Sequence, residues 1–242
     1  MEILALIPAR GGSKSISKKS ISLLLGKPLL AYTCEAALSS RLITRTVLSS
    51  DDEEIAAVGR DCGVEVPFMR PEELARDDTP ILSVIQHALR TLLETEGYQP
   101  SLIMLLQPTS PLRRAYHIDE ALDFLIETGA DSVVSVIAIP HRYSPVSVMQ
   151  IENGQLTPFL KGEGTRILRR QDKPEVYARN GPALLATRYH TIMEEHSLYG
   201  TKCVPYIMDH YSSIDIDSEE DLAYAEFVMS RYRDTQFNSP RV

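Results

Sequence analysis

Apolar residues in the first half of the chain form short continuous runs separated by longer segments with helical spacing. Such runs cover residues 3–8 and 102–106 and are typical of buried strands. Residues 46–49 and 65–68 also resemble strands. Between them apolar residues recur every three or four positions, which predicts amphipathic helices. We expect these helices to begin near Pro28, at a capping box from Ser50 to Glu53, and at Thr79 before Pro80.

The second half repeats this alternation. Ile118, Leu122 and Leu125 predict another helix, and further apolar runs predict strands at 132–137, 183–186 and 203–208. We expect a helix capped by Thr187 and a last helix introduced by Ser218-Glu-Glu-Asp221. Alternating strands and helices predict an α/β fold with a doubly wound, mostly parallel, Rossmann-like sheet.

The alternation is interrupted between residues 138 and 176. Four prolines there surround a predicted hairpin that turns at Glu152-Asn-Gly154. We interpret 1–242 as one domain and 138–176 as an inserted lobe. Insertions in such folds serve as lids or as dimerisation arms, so we expect a homodimer and a lid over a ligand site.

Length and composition narrow the class of protein. A chain of 242 residues with 43% hydrophobic content can bury one sizeable core. It has no apolar run of about 18 residues and no signal-peptide pattern, so we expect a cytoplasmic protein with no membrane partner. The net charge of −8 disfavours nucleic acid as a partner. Three widely spaced cysteines disfavour a disulfide framework or a zinc site.

Glycines and cations follow the first predicted strand, at the edge where open α/β sheets bind ligands. Gly11 and Gly12 allow backbone amides to approach phosphate oxygens, while Arg10, Lys14 and Lys19 supply positive charge. The spacing matches neither a P-loop nor a dinucleotide fingerprint. A triphosphate fits this chemistry, and a glycine turn with solvated lysines is the alternative.

Two later segments carry candidate chemistry. Asp215 and Asp217 are two residues apart, so on an extended backbone both carboxylates point to one side and suit Mg²⁺. The alternative for Asp217 is a purely structural role at the start of the last helix, where acidic residues interact favourably with the helix dipole. The segment from Gln107 to Arg113 follows the fourth strand and offers an amide, hydroxyls and a guanidinium, or else forms a rigid proline turn.

Three motifs in this order, Ala9-Arg-Gly-Gly-Ser-Lys14, Leu105-Leu-Gln-Pro-Thr-Ser-Pro-Leu-Arg113 and Ser213-Ile-Asp-Ile-Asp217, resemble those of the acylneuraminate cytidylyltransferases. The resemblance extends over most of the chain. It implies transfer of CMP from CTP to an acidic nine-carbon sugar of the sialic acid kind, a nonulosonate, with release of pyrophosphate. It also implies Mg²⁺ or Mn²⁺ as cofactor.

The resemblance assigns roles to individual residues. The triphosphate would be held by Arg10, Gly11, Gly12, Ser13 and Lys19, beside Lys14 and Ser20. The cytosine would be read by Arg70 and Ser83. The acceptor sugar would meet Gln107, Arg170 and Asn180. Asp215 and Asp217 would be the metal pair, with Asp215 also orienting or deprotonating the anomeric hydroxyl.

Two departures from the family pattern affect this reading. Ser20 stands where the family has an asparagine implied to contact phosphate, and Ala178-Arg179 shifts an arginine by one position, which turns its side chain elsewhere. The alternatives are another sugar nucleotidyltransferase that uses GTP or UTP, a catalytically degenerate nucleotide-binding protein of the same fold, and a glycosyltransferase of the DxD type.

Overall fold

The computed structural model describes residues 1–12, 16, 18–160, 169–181 and 183–231. Its strands are β1 Ile3–Pro8, β2 Leu23–Leu24, β3 Lys27–Pro28, β4 Arg45–Ser49, β5 Leu102–Leu105, β6 Ser132–Ala138, β7 Met149–Glu152, β8 Gln155–Pro158, β9 Tyr177–Arg179, β10 Leu185–Arg188 and β11 Cys203–Ile207. Its α-helices are α1 Leu29–Leu38, α2 Glu53–Asp61, α3 Ile81–Glu96, α4 Ala115–Thr128, α5 Tyr189–Met193 and α6 Glu219–Arg231. The predicted α/β alternation is confirmed.

A mainly parallel central sheet has the strand order β11-β6-β10-β5-β1-β4, and β9 pairs with the end of β6. β1 is parallel to β4 and β5, and β11 is parallel to β6. β10 is antiparallel to both of its neighbours, and β9 is antiparallel to β6. The carboxyl ends of β1, β4, β5, β6 and β11 therefore share one edge with the amino end of β10.

Helices cover both faces of the sheet. One apolar cluster joins inward positions of the strands to Leu30 of α1 and Ile118 of α4. The cluster on the opposite face includes Ile85 and Leu89 of α3 and Ile192 of α5. Burial of both faces explains why the strand segments are continuously apolar rather than alternating.

A third, smaller apolar cluster lies beside the first loop. It packs Leu24 and Leu29 against Ile216 and Val228, so it joins the β2–β3 hairpin and α1 to α6. The beginning and the end of the described chain are thereby held together next to the carboxyl edge of the sheet.

Residues 139–160 and 169–176 are described between the end of β6 and the start of β9, and none of them belongs to a strand of the central sheet. Within them β7 and β8 form a separate hairpin around Asn153 and Gly154, at the turn that the sequence predicts. Strand β9, directly after this segment, was not predicted. It has only three residues, too few to show a periodic pattern.

Several local predictions are wrong. Residues 65–68 form no strand, because only the isolated bridges from Val47 to Glu65 and from Ser50 to Met69 pair there. Helix α2 is capped by Asp52, which accepts from two backbone amides, and not by Ser50. Thr79 and Thr187 do not cap helices, since their hydroxyls donate to the carbonyls of Glu73 and Leu198. The capping box of Ser218 and Asp221 is confirmed.

Candidate active site

A cleft of about 320 Å³ opens at the carboxyl edge of the sheet. It is lined by loop residues after β1 and β5 and by the segment before α3: Pro8, Ala9, Arg10, Gly12, Lys19, Ser20, Arg70, Leu74, Arg76, Asp77, Thr79, Ile81, Val84, Gln107, Pro108 and Thr109. Six of the residues proposed from sequence thus share one cleft. Ser13 and Lys14 lie outside the described residues.

Arg10 crosses the cleft to the segment before α3. Its Nη2 lies 2.7 Å from Asp77 Oδ1, and its Nη1 donates to the carbonyl of Ala75 at 3.5 Å. Both partners of the ion pair are about one-third exposed, so an anion entering the cleft can compete with Asp77 for the guanidinium. Neither Asp77 nor Arg76 was proposed from sequence, because only their position beside the cleft reveals them.

Gly11 ties the first loop to the start of α2. Its amide donates to Asp51 Oδ1 at 3.1 Å. A Cβ at this position would lie 2.8 Å from Asp52 Oδ2, so only glycine allows the loop to approach the helix so closely. Lys18 forms ion pairs with Asp52 at 3.3 Å and with Glu54. Gly11 therefore anchors the loop and is absent from the lining of the cleft.

Lys19 connects two segments that are far apart in the sequence. Its Nζ donates to Asp217 Oδ1 at 2.9 Å and to the carbonyl of Ile216 at 3.0 Å, across a separation of 198 and 197 residues. The lysine side chain is largely buried, whereas Asp217 is exposed. The basic loop and the aspartate pair meet at this contact.

Asp215 is the more buried of the two aspartates. Burial raises the pKa of its carboxyl from 3.8 to about 6, opposed by the hydroxyl of Thr109 and supported by the neighbouring charge of Asp217. Its Oδ1 has no hydrogen-bond partner among the described residues. Its Oδ2 lies against Gly181, whose φ is +91° and whose added Cβ would be 2.5 Å away.

The aspartate pair suits a divalent metal. Carboxylate oxygens are the donors that Mg²⁺ prefers, and a buried carboxylate oxygen without a partner is a group that a cation would satisfy. Among the described residues no cluster of three His, Cys, Asp or Glu side chains forms a complete protein cage. A pair of carboxylates is nevertheless the pattern expected where Mg²⁺ also binds phosphates and water.

Two buried arginines differ in what they offer a ligand. Arg70 lines the cleft, and its Nη2 donates to the carbonyls of Ala9, at 3.2 Å, and Ser49. Burial lowers its pKa to about 10, and its Nε is buried without a partner among the described residues. Arg70 therefore has a donor left over beside the cleft.

Arg113 lies in the interior, where both of its terminal nitrogens have partners and its Nε has none among the described residues. Its guanidinium donates to the carbonyls of Gln107 at 3.2 Å and Ala183 at 2.5 Å, and to Thr33 Oγ1 at 2.7 Å. Burial lowers its pKa to about 9. The interpretation of this guanidinium as available to a ligand is wrong. It fixes the loop after β5 against β10 and α1, and Gln107 and Thr109 of that loop line the cleft.

The remaining candidates lie around this cleft at different depths. Ser83 is in the first turn of α3, where its amide donates to the carbonyl of Pro80, and it is absent from the cleft lining. Asn180 is buried. Arg170 begins a short 3₁₀ turn after the hairpin segment, and its side chain is not described. Arg179 donates to Tyr199 Oη at 2.6 Å.

Two solved structures have folds similar to that of this chain. A CMP:2-keto-3-deoxy-manno-octonic acid synthetase complexed with CTP has a TM-score of 0.72 at 14% identity, covering 96% of this chain and 99% of that one. A 4-diphosphocytidyl-2C-methyl-D-erythritol synthase from Anaerococcus prevotii has a TM-score of 0.64 at 14% identity, with 95% and 96% coverage. This chain therefore shares the fold of both proteins.

The chain belongs to the cytidylyltransferase family, whose sequence profile matches residues 4–235. It is 36% identical to the CMP-N,N'-diacetyllegionaminic acid synthase of Legionella pneumophila over 95% of this chain and 97% of that one. It is 33% identical to the N-acylneuraminate cytidylyltransferase of Escherichia coli over 93% of this chain, but spans only 51% of that protein. No helix in the described ranges is long and apolar enough to cross a membrane.

Proposed function

We propose that the protein transfers CMP from CTP to the anomeric hydroxyl of a sialic-acid-like nonulosonate and releases pyrophosphate. Family membership and the names of both relatives support this choice of nucleotide and acceptor. The observation that carries the proposal is the contact of Lys19 with Asp217, because it joins the phosphate-binding loop to the aspartate pair in one site.

In this proposal the first loop binds the triphosphate. Arg10 and Lys19 supply positive charge, Gly12 and Ser20 lie in the cleft wall, and Gly11 holds the loop in place. Preorganised cations are the main requirement of phosphoryl transfer, since negative charge develops on the oxygens around phosphorus. Ser13 and Lys14 would complete the loop.

The cytosine would bind near Arg70, whose Nε is a buried donor without a partner among the described residues. A base carbonyl oxygen would satisfy this donor. Ser83 stands in the first turn of α3, beside the cleft residues Ile81 and Val84, and we propose it as a second contact to the base.

The acceptor would bind on the side of Gln107, with its carboxylate met by Arg170. The anomeric oxygen attacks the α-phosphorus, and the bond from that phosphorus to the bridging oxygen of the leaving pyrophosphate breaks. The hydroxyl proton passes to the Asp215 carboxylate. Asp215 and Asp217 would hold Mg²⁺ or Mn²⁺, which supplies further neutralisation of phosphate charge when bound.

Residues 138–176 would serve as a dimerisation arm and a lid over the acceptor. The hairpin β7–β8 supports the arm, since Met149, Ile151, Leu156 and Pro158 alternate with polar residues and so share one face. Ile151 and Leu156 are 76% and 71% exposed, and a second copy of the chain would cover them. CTP, an intracellular nucleotide, supports the expected cytoplasmic location.

The decisive experiment measures pyrophosphate release from CTP, UTP, GTP and ATP with N-acetylneuraminate, legionaminate, pseudaminate and an octulosonate. We expect release with CTP and a nonulosonate only, and its loss in the presence of a chelator. Lys19→Met should reduce kcat about a hundredfold or more, because it removes a cation from the phosphate site. Release only with GTP or UTP, or no release with any pair, would overturn the proposal.

A further inference from the structure

The side-chain amide of Asn180 is held between two serine hydroxyls. Oδ1 accepts from Ser135 Oγ on β6 at 2.6 Å, and Nδ2 donates to Ser213 Oγ at 2.9 Å and to Met208 Sδ at 3.6 Å. The residue is only 7% exposed. Because both hydrogens of Nδ2 have partners in the protein, this network must break before the amide can donate to a sugar.

Asn180 is connected to Asp215 only through neighbouring residues, Ser213 and Gly181. Ser213 precedes Asp215 by two residues, and its hydroxyl also donates to the carbonyl of Asp209 at 2.6 Å, which fixes the turn before the aspartate. Gly181 follows Asn180 directly, and an added Cβ there would be 2.5 Å from Asp215 Oδ2. The position of Asn180 therefore sets both the backbone that leads to Asp215 and the backbone packed on its carboxylate.

We propose that Asn180 is a positioning residue that fixes the Asp215 carboxylate through Ser135, Ser213 and Gly181. This inference rests on the proposed function, in which Asp215 is one of two metal ligands. Removal of a group that holds a metal ligand in place lowers the metal affinity about 10–100-fold. The network thus acts on the metal and nucleotide rather than on the acceptor sugar.

The test removes the hydroxyls and leaves Asn180 itself in place. Ser213→Ala deletes the acceptor of Nδ2, and Ser135→Ala deletes the donor to Oδ1. Ser132→Ala is the matched control, because Ser132 is also buried on β6 and donates at 2.6 Å, but to the carbonyl of Tyr199, outside the network. If Ser135→Ala does not fold, since that hydroxyl also accepts from the Leu184 amide, Ser213→Ala carries the test.

Two measurements separate a positioning role from a sugar contact. Binding of Mn²⁺ in the presence of CTP and without acceptor, followed by electron paramagnetic resonance, should weaken about tenfold in Ser213→Ala and Ser135→Ala and stay unchanged in Ser132→Ala. The KM for the acceptor sugar should change by less than about twofold, while kcat falls about tenfold at fixed Mg²⁺.

Unchanged Mn²⁺ binding with a raised acceptor KM in Ser213→Ala would overturn the inference and leave the proposed function standing. Weakening of Mn²⁺ binding by Ser132→Ala to the same degree would also overturn it, because any loss of a buried hydroxyl would then suffice. A wild-type protein that binds no Mn²⁺ with CTP would overturn the proposed metal pair together with this inference.

Discussion

Asp215 is the residue at which burial most directly alters chemistry. Its carboxyl has one oxygen without a partner among the described residues and the other against Gly181, and burial raises its pKa to about 6. In the metal-free protein the folded state therefore binds the proton of Asp215 more tightly than the unfolded chain does. Its contribution to the free energy of unfolding is full below about pH 4 and is lost as the pH rises through 6.

Asp215→Asn should stabilise the metal-free protein at pH 7.5 while it abolishes turnover. An ionised Asp215 with a pKa of about 6 costs about 1–3 kcal/mol of folding free energy, and the neutral amide removes this cost. Urea unfolding in a chelator at pH 4 and at pH 7.5 measures the difference. The gap between variant and wild type should be small at pH 4 and widen by pH 7.5.

Asp217→Asn is the control for this prediction, since Asp217 is exposed and paired with Lys19. It should lose turnover without the gain in stability, because no buried charge is removed. A constant stability difference between Asp215→Asn and wild type across the pH range would contradict the assignment of a buried, hard-to-ionise carboxyl.

For single residues, sequence patterns predicted the location in the fold better than the contacts of the side chain. Arg10, Lys19 and Gln107 line one cleft because residues after the parallel strands β1 and β5 must reach the same edge of the sheet. The same reasoning placed Arg113 there, yet the terminal nitrogens of its buried guanidinium donate to Gln107, Ala183 and Thr33. Which side of a loop faces inward depends on tertiary contacts that a single sequence does not encode locally.

The connection between β9 and β10 brings Gly181 against Asp215. Gly181 has a φ of +91°, a backbone conformation that residues with a side chain rarely adopt. It also has no room for a Cβ beside Asp215. Two separate constraints therefore act on this glycine. Backbone strain affects stability, whereas the missing space affects the position of the carboxylate.

Gly181→Ala should reduce kcat about tenfold or more, because the added methyl group displaces Asp215. It should also lower the free energy of unfolding by about 1 kcal/mol or more through the positive φ. Steady-state kinetics and thermal unfolding measure the two effects separately.

Gly97→Ala is the matched control, with a φ of +65° at the end of α3 and nothing within 4 Å of an added Cβ. It should lose about 1 kcal/mol of stability and keep wild-type kinetics. Equal loss of kcat in both variants would show that strain alone, and not contact with Asp215, explains the effect of Gly181→Ala.

Elements with long apolar patterns were predictable, and short or reversed ones were not. Strands β1, β5, β6 and β11 and the helices α3 and α4 follow from buried runs and helical spacing. The antiparallel direction of β10 was missed, because a strand buried on both faces has the same composition in either direction. Capping residues were misassigned wherever a nearby carbonyl competed for the hydroxyl, as at Thr79 and Thr187.

For the molecule as a whole, the hairpin β7–β8 is the feature that the single chain leaves unexplained. A two-stranded hairpin is marginally stable in water unless it packs against something. Its apolar face includes Ile151 and Leu156, which pair across the strands and are largely exposed. Burial of such a face by a second copy would contribute roughly 25 cal/mol per Å² of apolar surface removed from water.

The double variant Ile151→Asp and Leu156→Asp should convert a dimer into a monomer of 27.1 kDa. Charges on the apolar face cannot be buried without a large desolvation cost. Sedimentation equilibrium measures the mass, and wild type should have twice the monomer value. Gln150→Asp, on the polar face of the same hairpin, should remain dimeric, and a monomeric wild type would contradict the proposed arm.

The hydrogen bonds from Lys19 to Ile216 and Asp217 can form only late in translation, because their partners are synthesised almost 200 residues after Lys19. A ribosome that has released the first hundred residues has delivered the basic loop, but its counterpart has not yet been made. If these residues bind the nucleotide as proposed, a nascent chain that stops before Asp217 has only part of the site. Nucleotide affinity would then report that the polypeptide has been synthesised and folded beyond Asp217.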